Sequence, residues 1–174
     1  MRLHRLASWD QRFFVLLFQR YASQPMFRCC YWLSKTADGP LYALLALAIY
    51  VFQPAGYQQF VLLLAIGFSI ELPLYLLLKN SVRRLRPADL LTQQIQSYIV
   101  PSDKFSLPSG HTAGAFVLTS TIAICYPQYL PIVLPWALAV GLSRVLLGVH
   151  FPGDIVAGML LGCSAVYLAA WWVW

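Results

Sequence analysis

The stretch Ser143-Arg144-Val145-Leu146-Leu147-Gly148-Val149-His150-Phe151-Pro152-Gly153-Asp154 joins two apolar runs, so it marks where one membrane helix ends and the next begins. Arg144, His150 and Asp154 gather at that boundary, and membrane helices rarely carry such residues without a use for them. Pro152 suits the first position of the following helix. Asp154 then falls in that helix's first turn, where the positive end of the dipole favours its ionised form. From there it can reach back to His150, hold one ring tautomer and leave the other nitrogen free to attack. A polar inter-helix turn with a capping aspartate would use the same residues, and two further clusters bear on the choice.

Working outward, apolar residues make up 60% of the 174-residue chain and charged residues only 10%, against roughly 25% charged in soluble domains. One domain is the default at this length, and the composition is that of an all-α, polytopic membrane protein. The net charge of +6 does not point to nucleic acid, because the basic residues sit at the N-terminus and in one loop with long uncharged runs between them. No continuous apolar stretch follows Arg2 and Arg5 and no cleavage site is evident, so the first apolar segments are expected to act as uncleaved anchors. Cys29, Cys30, Cys125 and Cys163 form no C-x-x-C pair and have no histidine at metal spacing, so they read as structural.

Residues 8–36 are mixed: Asp10, Arg12, Arg20 and Arg28 interrupt every window long enough to span. One or two helices along the membrane surface are expected over 1–38, ahead of a catalytic helical core over 39–174; a short first span is the rival, which makes the count five to six. The five clearer spans are Leu41 to Phe52, Phe60 to Leu78, Ala113 to Tyr126, Leu130 to Val149 and Ile155 to Trp174. Alternating crossings put the end of the second at Lys79, the start of the third near Ser109 and the end of the fourth near His150 on one membrane face. The long loop Asn80 to Leu107 lies on that face too. Loops of that length are usually functional or disordered, and Asp89 to Ile99 is expected to form a short surface helix, a lid or a ramp for substrate.

The first of the two further clusters is Lys79-Asn80-Ser81-Val82-Arg83-Arg84-Leu85-Arg86-Pro87, which alone could simply meet lipid headgroups. The second is Ser106-Leu107-Pro108-Ser109-Gly110-His111-Thr112, which opens a helix. Free N–H groups at a helix start bind anions, and Gly110 allows close approach to the backbone. Together the three clusters supply a lysine, several arginines, a helix N-terminus and two histidines with an orienting aspartate. Cations and N–H donors suit a phosphoryl group, and two histidines suit a nucleophile and a general acid. No carboxylate or Cys/His set calls for Mg²⁺ or Zn²⁺, so neither metal nor cofactor is expected.

These residues give the chain its resemblance to the type 2 phosphatidic acid phosphatase superfamily, membrane lipid phosphate phosphatases that share a core with vanadium haloperoxidases. The family pattern is K-x6-R-P, P-S-G-H and S-R-x5-H-x3-D. Lys79…Arg86-Pro87, Pro108-Ser109-Gly110-His111 and Ser143-Arg144…His150…Asp154 match it in order and at family spacing. The resemblance covers Leu41 to the C-terminus. It implies a helical bundle with the site at the membrane surface, His150 as nucleophile, Asp154 orienting it and His111 protonating the leaving group. It also implies that Lys79, Arg86, Ser109, Gly110 and Arg144 hold the phosphate, and it gives Arg83 and Arg84 no part.

The resemblance further implies hydrolysis of a lipid phosphate or polyprenyl pyrophosphate in a bacterial inner membrane, with the site facing the periplasm or exterior. A lipid A phosphatase or phosphotransferase of the same family would carry an identical site. A non-enzymatic lipid binder or transporter would need the cations but not His111 or the His150–Asp154 pair. Glu71, about two turns into the membrane from Lys79, is unassigned, and a protonated glutamate bonded to a neighbouring helix is its expected role.

Overall fold

The computed structural model describes residues 2–21, 23–101 and 103–173. Among these the structure is helical, with no strand. Its helices are α1 (Arg2–Tyr21), α2 (Gln24–Lys35), α3 (Gly39–Phe52), α4 (Tyr57–Val82), α5 (Pro87–Leu90), α6 (Gly110–Cys125), α7 (Leu130–Leu146) and α8 (Pro152–Val173). A 3₁₀ turn at Pro127–Tyr129 leads into α7. The segments Tyr57–Leu90, Pro127–Leu146 and Pro152–Val173 are long and apolar enough to cross a membrane, while α3 and α6 are apolar but shorter. The chain is an all-helical integral membrane bundle, and the five stretches expected as spans fall on the helices α3, α4, α6, α7 and α8, the three long segments above taking in α4, α7 and α8. The last residue of the expected fifth span, Trp174, lies outside the described residues.

Helix boundaries follow local chemistry. Ser23 caps α2, its hydroxyl accepting from the Met26 N–H, with proline in the first turn. α3 opens on Gly39-Pro40 and closes at Gln53, which turns into the left-handed region at φ 47° before Pro54. Pro152 starts α8, as its fixed φ and missing N–H favour.

α6 runs through the centre, buried from Thr112 to Thr119, with α4, α7 and α8 packed round it. Its close fit to α8 depends on Gly158 and Gly162. A Cβ at Gly158 would lie 2.6 Å from the Ser109 carbonyl oxygen, and one at Gly162 would strike the Ala113 carbonyl. Small residues four apart let membrane helices approach this closely. The same approach brings the starts of α6 and α8 together, with the Ser109 N–H donating to the Asp154 carbonyl at 3.1 Å. The ends of α4 and α7 meet them on one side of the bundle.

The N-terminal helices dock on that same end. Asp10, Phe14 and Phe18 recur every four residues along one face of α1. Phe14 and Phe18 bury against Val145, Phe151 and Ile95, while Trp9, Phe13 and Leu16 face outward. α2 packs on α7 through Cys30 and Ser34. The 80–107 loop departs from expectation: its helix is one turn, Pro87–Leu90, and does not continue from Leu91 to Ile99. Leu91 leaves helical geometry, and Ile95 turns inward against the α1 phenylalanines. The Tyr98 N–H then bonds the Leu147 carbonyl, tying the loop to the end of α7. All four cysteines are free thiols.

Candidate active site

The ends of α4, α6 and α7 and the α7–α8 turn surround a cavity of about 570 Å³. Of the eight expected site residues, Lys79, Arg86, Gly110, His111, Arg144 and His150 line it. Ser109 and Asp154 are fully buried behind it. Lys79, Arg86 and Arg144 are each no more than 6% exposed, and three cations this deep require anions nearby or in transit.

An internal carboxylate already answers two of them. Asp103, from the loop, accepts from Lys79 Nζ at 2.9 Å and from Arg86 Nη2 at 2.6 Å. The Arg86 Nε also donates to the Asp103 carbonyl at 3.1 Å. Tyr75 joins the group, its hydroxyl donating to Asp103 and accepting from Lys79. Burial acts to raise the Asp103 pKa, but the Lys79 and Arg86 charges outweigh it and hold the carboxyl below its ordinary range. Arg144 is held differently: Nη1 donates to the Ser34 hydroxyl of α2 at 2.6 Å, while its buried Nε has no partner among the described residues.

His150 is 2% exposed. Its Nε2 lies 3.5 Å from Arg86 Nη1, a donor, so that nitrogen presents a lone pair and Nδ1 carries the proton. Nδ1 points at Asp154 Oδ2, 3.6 Å away, beyond hydrogen-bond length and one short shift from closing. Burial pushes the imidazole pKa down to about 4 against the opposing pull of Asp154, so the ring is neutral at neutral pH. Asp154 is fixed by its other contacts: Oδ2 accepts from the Phe151 N–H at 2.8 Å and Oδ1 from Arg84 Nη1 at 2.8 Å. Across the cavity, His111 Nε2 faces Asp38 Oδ1 at 3.1 Å.

Four functional neighbours lay outside the sequence expectation: Arg84, Asp10, Asp38 and Asp103. Arg84 bridges Asp154 and Asp10, donating to Asp10 Oδ2 at 2.6 Å and lying over the Phe151 ring. Asp10 in turn accepts from the Gly153 N–H at 2.8 Å, capping the start of α8. A signal was present. The chain has only six acidic residues, and an acid near a membrane has to justify its desolvation. Four of the six pair with a cation or a histidine of this site, and Glu71 lines the cavity.

The arrangement sets three cations, two of them shared by Asp103, beside a neutral imidazole in a cavity whose walls on α3 and α4 are mostly apolar. The chain belongs to the PAP2 superfamily, whose family model matches residues 56–174. It is 33% identical over 99 residues to a lipid A 1-phosphatase of Rhizobium johnstonii, covering 54% of this chain and 40% of that protein. It is 33% identical over 87 residues to phosphatidylglycerophosphatase B of Escherichia coli, covering 47% and 34%. An undecaprenyl-diphosphatase of Sulfolobus acidocaldarius is 33% identical over 107 residues, covering 61% and 52%. The aligned part is thus about half or less of these relatives' length. The fold resembles the crystal structure of Aquifex aeolicus LpxE, with a TM-score of 0.81 at 23% identity, covering 91% of this chain and 93% of that one. A phosphatidylglycerolphosphate phosphatase of Bacillus subtilis superposes with a TM-score of 0.74 at 21% identity, covering 97% and 86%.

Proposed function

We propose that this chain is a membrane phosphatase that hydrolyses the ester or anhydride bond of a lipid phosphate through a phosphohistidine on His150. One observation carries the reading: Lys79, Arg86, Arg144, His111 and His150 face a single cavity whose far end is apolar. A lipid phosphate has that same polarity. Relatives named for lipid A, phosphatidylglycerophosphate and undecaprenyl diphosphate support the class.

The phosphoryl oxygens take the place of the Asp103 carboxylate between Lys79 and Arg86 and engage Arg144 Nε, with the N–H groups at Gly110 and His111 as further donors. His150 Nε2 attacks phosphorus in line, and Asp154 stabilises the positive charge that forms on the ring. The bond from phosphorus to the leaving oxygen breaks, and His111, held by Asp38, supplies that oxygen's proton. Water then attacks the phosphohistidine and returns a proton to His111, releasing phosphate and neutral His150. Ser109 acts from behind, joining the starts of α6 and α8. The fixed cations supply the charge stabilisation that a metal would otherwise give. We place the protein in a bacterial inner membrane with the cavity open to the periplasm or exterior.

The test is phosphate release by purified protein from phosphatidic acid, phosphatidylglycerophosphate, lipid A and undecaprenyl diphosphate, with EDTA present throughout. Release from at least one, inhibited by vanadate, is expected. Failure to cleave any of them, or activity that only Mg²⁺ or Zn²⁺ restores, would refute the reading.

A further inference from the structure

Two polar side chains of the cavity take no part in the chemistry above. Glu71 on α4 and Tyr42 on α3 both line it, at 4% and 6% exposure. The Tyr42 hydroxyl is buried and has no hydrogen-bond partner among the described residues. The Glu71 carboxyl lines the same cavity one helix away. Buried polar groups without partners are costly and rare in native proteins, and each calls for an explanation.

Their position supplies one. Glu71, Tyr75 and Lys79 recur every four residues and form one stripe down the cavity face of α4. At the head end, Lys79 meets the Tyr75 hydroxyl at 2.6 Å. Glu71 lies two turns deeper, about 12 Å along the helix at 1.5 Å per residue. Tyr42 approaches from the facing helix, its ring 5.2 Å from that of Phe68 and seated against Gly114. The walls around them, Ala46, Val61, Leu64 and Phe68, are apolar. A lipid whose phosphate rests among Lys79, Arg86 and Arg144 therefore presents its first stretch beyond the phosphate to a carboxyl and a phenol. A polyprenyl chain is bare hydrocarbon there and would offer a partner to neither group. An acylated lipid carries ester, amide or hydroxyl groups there: a carbonyl can accept from the Tyr42 hydroxyl and from a protonated Glu71, and an amide or hydroxyl can also donate to the carboxyl.

We infer that Glu71 and Tyr42 form a polar subsite for the linker region of an acylated lipid phosphate, and that such lipids are preferred over polyprenyl phosphates. The inference rests on the phosphatase reading and narrows its substrate class.

The test compares kcat/KM of the purified full chain on four substrates. These are dioctanoyl phosphatidic acid, its dialkyl ether analogue without carbonyls, farnesyl phosphate and tail-less p-nitrophenyl phosphate. The wild type should favour the diester over both the ether and the prenyl substrate by at least about tenfold, since sites built to hydrogen-bond reject analogues that cannot. Tyr42→Phe and Glu71→Leu should collapse those ratios, and should lower efficiency on the diester relative to p-nitrophenyl phosphate. Equal wild-type efficiency on the three lipids, ratios that survive both substitutions, or a loss shared by every substrate would overturn the subsite. Absence of turnover on all four would refute the phosphatase reading instead. The subsite is then read by thermal shift: greater stabilisation by the diester than by farnesyl phosphate, lost in Tyr42→Phe, supports it, and equal stabilisation overturns it.

Discussion

Arg84 Nη1 donates to Asp154 Oδ1 at 2.8 Å, which places a cation behind the aspartate that faces His150. Arg84 is itself anchored by Asp10, so helix α1 reaches the imidazole through three charged side chains. A hydrogen bond to a charged group contributes roughly 1.5–3 kcal/mol, which as lost positioning corresponds to about 10–100-fold in rate. Arg84→Ala should lower kcat on that scale with a much smaller change in KM, and Asp10→Ala should do the same more weakly. Arg84→Lys should recover part of the loss. Steady-state kinetics on one lipid substrate checks this; a KM effect alone would mean that Arg84 binds substrate directly.

Asp103 holds Lys79 and Arg86 in the place a phosphoryl group needs. Binding an anion there requires its carboxylate to withdraw. Asp103→Asn should therefore bind vanadate several-fold more tightly than the wild type, measured as the inhibition constant at neutral pH. Weaker vanadate binding would instead make Asp103 an organiser of the two cations.

The acid limb of kcat/KM should fall near the depressed His150 value of about 4, not at the 6.5 of an ordinary imidazole. The sign follows from the chemistry: the neutral ring attacks, so on the acid side activity is lost as pH drops through that value, while the alkaline limb belongs to the proton that His111 must supply. A pH–rate profile corrected for the substrate's own ionisation checks this. A limb at 6 or above would show that His150 is not buried as described.

Gln94 in the loop and Gln128 in the α6–α7 turn should lie on opposite membrane faces. Single cysteines there, with Cys29, Cys30, Cys125 and Cys163 replaced, should react with an impermeant reagent from opposite sides. Labelling from one side only would change the number of crossings.

The apolar helices were legible because polar or proline-bearing turns at Gln53–Gly56, Tyr126–Gln128 and Phe151–Gly153 separate the apolar runs, though α4 runs to Val82 and α7 stops at Leu146, a few residues from the expected ends. The six cavity-lining residues were legible because three short motifs fall, by alternate crossing, on one face. Asp10, Asp38 and Asp103 were not. They meet their cation or histidine partners of the site over 17 to 74 positions of chain, through the docking of α1, the α2–α3 turn and the loop, and no local spacing encodes that. Asp89 to Ile99 was misread for a similar reason. In isolation it can be helical, but burying Ile95 against Phe14 and Phe18 holds it in turns.

The central claim is covalent chemistry on His150, and trapping the intermediate tests it most directly. Wild-type protein mixed with radiolabelled lipid phosphate and quenched within milliseconds should yield an acid-labile, alkali-stable phosphoprotein. His150→Ala should trap none. His111→Ala should still trap label from a substrate with a good leaving group such as p-nitrophenolate, while losing on the order of 10²–10⁴-fold on a lipid alcohol. Label retained by His150→Ala, or a His111→Ala defect independent of the leaving group, would contradict the account.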